Sequence, residues 1–158
     1  MAKPILAIDP GNEQSAFVLW DGKRIINADT LKNQSLLDAI YGYGGIFNRD
    51  FTLVIEMVAS YGMPVGESVF ETVFWIGRFC EAYELDWYRL YRKDVKMHLC
   101  HTMRAKDSNI RQALVDRFGD KPTKKRPNPV YGGAKLKKDE WQAFALAVTF
   151  YDTRRETI

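Results

Sequence analysis

Two apolar runs meet at an acid within the first twenty residues, and that junction restricts the fold more than any other feature of the chain. Residues 5–8, ILAI, end in Asp9-Pro10-Gly11, and a second apolar run follows over 15–20. A continuous apolar run of about four residues bounded by Pro and Gly is the pattern of a strand buried on both faces with a tight turn behind it. Asp9 therefore leaves a sheet interior as a carboxylate at a strand end. Asp21-Gly22 then separates 15–20 from 23–30, and Asp-Gly favours a two-residue hairpin turn with positive φ. Three successive antiparallel strands are the expected outcome.

Beyond them the periodicity changes. Leu36, Leu37, Ile40 and Tyr41 recur at helical spacing over 34–43 until Gly42, Gly44 and Gly45 interrupt it. Residues 51–57 form another buried-strand run whose last residues deliver Glu56. Val69, Phe70, Val73, Phe74, Ile76 and Cys80 mark a long helix over 66–83 that is apolar around more than a narrow stripe, so it should pack on the sheet and on a further surface. A strand over 87–91 follows, then helices over 94–101 and 108–118, the second closed by Gly119. Residues 120–138 hold three prolines, a glycine pair and six lysines, which predicts an exposed, mobile, basic loop. A last helix spans 138–153. Strands first, then strand and helix in alternation, describe an α/β fold with a mixed five-stranded sheet flanked by helices. With 158 residues and 46% hydrophobic content, one domain with a sizeable core is expected.

Cys80 and Cys100 both fall in apolar or helical patterns, as reduced thiols do. His98, Cys100 and His101 lack a second ligand pair, which argues against zinc. The N-terminal MAKPILAIDP has no signal-like apolar span, and no run nears the ~20 residues that cross a bilayer. A cytoplasmic protein without membrane contact is expected. Net charge is only +3, but the positives gather over 89–96, 104–111 and 121–138, which suits a polyanionic partner.

Asp9 and Glu56 end strands, and Asp139 opens the last helix. Each could be a turn or cap residue. If the three ends meet at one sheet edge, they form an oxygen-only cluster whose repulsion calls for hard cations such as Mg²⁺, with Mn²⁺ as substitute. Two ions about 3.5–4 Å apart support phosphodiester cleavage.

Asp-Pro-Gly after the first strand, Glu56 at the end of the fourth and Asp139 heading an Ala-rich last helix resemble the RuvC-type Holliday junction resolvases of the ribonuclease H-like superfamily. YRKDVKMHLCHTMRAKDSNIRQAL, residues 91–114, is similar to that family's strand, lysine-bearing helix, turn with Ala-Lys and following helix. The resemblance runs from Ile5 to Tyr151, and size and diverged motifs are similar to the phage-encoded branch.

It implies a ribonuclease H-like sheet and a Mg²⁺-dependent endonuclease that cleaves Holliday junctions and other branched DNA by two-metal hydrolysis. Asp9 would bridge the metals, with Glu56 and Asp139 as further ligands. The family carries a second acid three residues into the last helix, where this chain has Gln142. Either the amide completes the site, or metal is held less tightly, or the chain is a non-catalytic branched-DNA-binding protein. Glu140 cannot substitute, because adjacent helix positions point about 100° apart.

The resemblance places DNA contacts at Lys96 and Lys106. Arg104, Lys124, Lys125, Arg126, Lys137 and Lys138 are further cations for phosphates. Tyr61 or Met63, in the loop after Glu56, would insert between unstacked bases. RuvC-like resolvases are twofold dimers, and the apolar helix over 66–83 would supply the isologous contact. An actin-like kinase hairpin also begins with Asp-x-Gly, but no second glycine pair follows a strand here.

Overall fold

The structure, a computed structural model, describes residues 3–47 and 50–155. Its strands are β1 (Ile5–Asp9), β2 (Gln14–Trp20), β3 (Ile25–Lys32), β4 (Thr52–Met57) and β5 (Trp87–Tyr91), hydrogen-bonded in the order β3-β2-β1-β4-β5. The first three strands are antiparallel, whereas β4 runs parallel to both β1 and β5. The helices are α1 (Asn33–Tyr41), α2 (Glu67–Ala82), α3 (Arg92–Cys100), α4 (Asp107–Phe118) and α5 (Lys138–Arg155). No helix among the described residues is long and apolar enough to cross a membrane.

Side-chain alternation assigns the two faces of the sheet. Leu6, Ile8, Phe17, Leu53 and Ile55 pack with α1 and α2. Ile5, Ala7, Val18 and Val54 pack with the layer of α3, α4 and α5. Helices on both faces make the central strands apolar throughout, as the ILAI run requires. Residues 140–150 of α5 are buried all round, because the helix lies between the sheet and α3 and α4. Its Trp141 and Phe144 meet Trp20, Phe118 and Tyr131 in one aromatic cluster.

The turn after β1 is locked from below. Gly11 N donates to Ser15 Oγ at 3.1 Å, Ser15 Oγ donates to Asn33 Oδ1 at 2.6 Å, and Asn33 Nδ2 donates back to Gly11 O at 2.9 Å. A Cβ on Gly11 would stand 2.3 Å from Gln14 O, so the close approach requires glycine.

Three expectations change in detail. The β2–β3 connection is not a two-residue turn at Asp21-Gly22: Asp21 Oδ1 accepts from the amides of Lys23 and Arg24, and Trp20 pairs with Ile25 beyond a bulge. The side chain thereby holds a four-residue loop. α3 starts at Arg92 instead of 94, because Asp94 Oδ2 accepts from Tyr91 N and caps the helix directly against β5. The basic loop is exposed at 123–127 but is not free along its length. Tyr131 and Leu136 are buried in the core, Lys121 Nζ donates to Leu136 O at 2.9 Å, and a Cβ on Gly132 would collide with Ile25 O. On α2, Ile76, Phe79 and Cys80 are buried, while Phe70 and Phe74 remain 63% and 58% exposed.

Candidate active site

The register of β1 and β4 brings two acids side by side. Ile8 pairs with Ile55, so Asp9 and Glu56 are the next residues on parallel neighbours. Both share the parity of Ala7 and Val54 and therefore face the α3–α5 layer. Asp139 lies in the first turn of α5, which packs against β1. The Asp9 carboxyl is pushed up to about 9, first by burial, then by the charge of Glu56 and a hydrogen bond with it, and then by the charge of Asp139; Arg92 pulls the other way. Without a cation, Asp9 holds a proton at neutral pH. Asp139 itself is exposed.

Arg92, at the start of α3, enters the same cluster. Its Nη1 donates to Glu56 Oε1 at 3.3 Å and its Nη2 donates to Asp107 Oδ1. Glu140 turns away, as its helical position dictates: it accepts from Thr30 Oγ1 at 2.6 Å and from Lys137 N at 3.3 Å. Gln142 is 6% exposed and its Oε1 has no hydrogen-bond partner.

Among the described residues, no three His, Cys, Asp or Glu side chains stand as a finished metal cage. Asp9, Glu56 and Asp139 are close enough to govern the titration of Asp9, yet they are not drawn onto a common point. Their donor set is oxygen only, and their mutual repulsion is what a hard cation relieves. They suit an oxygen-liganded divalent ion.

Gln142, Trp141, Arg111, Lys121, Lys137 and Lys138 line a groove of about 450 Å³ beside Asp107. Lys96, Tyr61, Arg92, Lys93 and Met103 line a hollow of about 260 Å³. Arg92 and Asp107, which bond each other, thus border one hollow each. Arg104 and Lys106 are exposed around the α3–α4 turn. Lys124, Lys125 and Arg126 are exposed where Thr123 and Arg126 pair through their backbones, and they line neither hollow. Tyr61, with φ of 50°, and Met63 are 62% and 71% exposed at the tip of the loop after β4. His98 Nε2 lies 2.7 Å from Asp152 Oδ2.

Sequence reasoning placed Arg92 only among the general cations and passed over Arg111 and Lys121 as groove residues. A signal for Arg92 existed, since it directly follows the strand that pairs Leu90 with Glu56.

No protein-family model and no curated protein matches the chain. Solved structures do. Thermus thermophilus RuvC superposes with a TM-score of 0.72 at 15% identity, covering 98% of this chain and 96% of that one. T. thermophilus RuvC in complex with Holliday junction substrate gives 0.74 at 14% identity with the same coverage. The yeast mitochondrial Holliday junction resolvase Ydc2 gives 0.53 at 9% identity, covering 98% and 86%. At these identities the likeness establishes the architecture: the chain has the mixed five-stranded, helix-flanked RuvC fold.

Proposed function

We propose that the chain is a divalent-cation-dependent endonuclease acting on branched DNA, four-way Holliday junctions foremost. The observation that carries this is the pairing of Asp9 with Glu56 on adjacent parallel strand ends, with Asp139 raising Asp9 further. The fold adds support, since one solved RuvC of this architecture holds a Holliday junction substrate.

In this reading Asp9, Glu56 and Asp139 hold Mg²⁺ or Mn²⁺. When bound, the ion supplies Lewis-acid polarisation of the phosphate and lowers the pKa of water. The locked Gly11–Ser15–Asn33 network fixes the turn that aims Asp9. Lys96, Arg104 and Lys106 contact the phosphate backbone on one side of the acids, Lys137 and Lys138 on the other, and Lys124, Lys125 and Arg126 extend the basic track. Tyr61 or Met63 inserts at the junction centre. Phe70 and Phe74 on α2 form the twofold contact that brings two sites to one junction; their exposure supports this. The diverged motifs favour a phage-encoded origin and action in the host cytoplasm.

Gln142 favours a second reading, a non-catalytic junction-binding protein, because a neutral amide stands three residues beyond Asp139. The test is Asp9→Asn and Asp139→Asn assayed on mobile four-way junctions with Mg²⁺ and with Mn²⁺. Both variants should bind the junction and fail to cut it. Cutting retained by Asp9→Asn overturns the proposed chemistry.

A further inference from the structure

Arg92 places a guanidinium among acids that need positive charge. It follows the end of β5, the strand in register with β4 through Glu56↔Leu90 and Met57↔Tyr91. Its Nη1 engages Glu56 Oε1 at 3.3 Å and its Nη2 engages Asp107 Oδ1, so both ends of the fork are tied to carboxylates on different elements. The pair is well covered: the Arg92 and Glu56 side chains are 24% and 16% exposed. A planar guanidinium held at two points is fixed in place and stays protonated.

Charge and geometry then limit what else fits. Asp9, Glu56 and Asp139 carry three negative charges when ionised, and Arg92 offsets one of them. Asp107, its other partner, stands in the first turn of α4, where the helix N-terminus offsets part of its charge. The remaining two negative charges match one divalent ion. Gln142, three residues beyond Asp139 on the same helix and buried, carries no charge, so it adds nothing to this balance. A second divalent ion would have to displace Arg92 from Glu56, or sit beside a fixed cation with no further carboxylate to balance it.

We infer that Arg92 is a built-in counter-cation that restricts this site to a single divalent cation. Its guanidinium takes the place of a second ion's charge beside the phosphate. The inference rests on the divalent-cation reading above.

The test is Mn²⁺ binding to the full chain, by titration calorimetry with free Mn²⁺ followed by electron paramagnetic resonance. The wild-type chain should bind one Mn²⁺ per protomer. Arg92→Gln, verified as folded by a cooperative thermal transition, should bind a second ion and hold the first on the order of tenfold more tightly, since a fixed positive charge a few ångströms away is removed. Arg92→Lys keeps the charge and should still bind one. Two ions in the wild-type chain, or identical stoichiometry and affinity in Arg92→Gln, overturn the inference and leave the nuclease reading standing. A wild-type chain that binds no Mn²⁺ overturns both.

Discussion

Asp9→Asn should stabilise the metal-free protein. The Asp9 carboxyl titrates at about 9 in the fold against an ordinary 3.8, so between those values the folded chain holds a proton that the unfolded chain has released. Stability from this group is complete below 3.8 and declines as pH rises, until it is lost near 9. At about 1.4 kcal/mol per pH unit, the loss at pH 7 reaches about 4 kcal/mol as a ceiling. Relaxation and water around the acids make the realised effect smaller, about 1–3 kcal/mol. Asparagine keeps the shape and a donor toward Glu56 while removing the acid. For a chain of this size the melting temperature should rise by about 3–10 °C at pH 7. Scanning calorimetry in EDTA at pH 5, 7 and 8.5 should show the gap between variant and wild type widening with pH. Adding Mg²⁺ should narrow it by stabilising the wild type alone. A variant that melts at or below the wild type at pH 8.5, or a gap that shrinks with pH, would refute the carboxylate geometry.

Three further outcomes follow from other parts of the molecule. Asp152 accepts from Arg117 at 2.5 and 3.0 Å and from His98 at 2.7 Å; burial opposes ionisation, but these partners hold its carboxyl below the usual range. Its contribution is therefore present above the ordinary carboxylate pKa and lost as pH falls through the lowered one. Asp152→Asn should cost about 1–2 kcal/mol in urea unfolding at pH 7 and markedly less below pH 3, and an equal cost at both would contradict the ion-pair account. Phe74→Glu should shift the protein to monomer in sedimentation at micromolar concentration with unchanged circular dichroism, because the ring is exposed in the single chain. A persistent dimer would remove α2 as the contact. Tyr61→Ala with Met63→Ala should weaken four-way junction binding by about 1–3 kcal/mol per lost stacking contact while leaving linear duplex binding unchanged; equal losses on both would make the loop a general DNA contact.

The sheet was legible because its signals are local. ILAI, Asp-Pro-Gly and the run that delivers Glu56 mark doubly covered strands wherever the helices lie, but the common face of the two acids depends on the register of β1 against β4, which no local signal carries. The hairpin length was not legible, since Asp21 can cap a longer loop as readily as occupy a two-residue turn, and the cross-strand partner Ile25 decided. The basic segment read as mobile from its prolines and lysines. Single buried side chains, Tyr131 and Leu136, anchor it, and composition averages such residues away. In the site, Asp9, Glu56 and Asp139 could be grouped from the ends of elements. The partnership of Arg92 with Glu56 and Asp107 could not, because it depends on β5 lying beside β4 and on α4 starting opposite α3.

The most direct test of the central claim is cleavage by the wild-type chain of a mobile four-way junction and of a linear duplex of the same sequence, each with Mg²⁺ and with EDTA. The account predicts nicking of the junction with Mg²⁺, none in EDTA, and little or none of the duplex. Tight junction binding with no cleavage under Mg²⁺ or Mn²⁺ would contradict it and leave the protein a binder built on a nuclease fold.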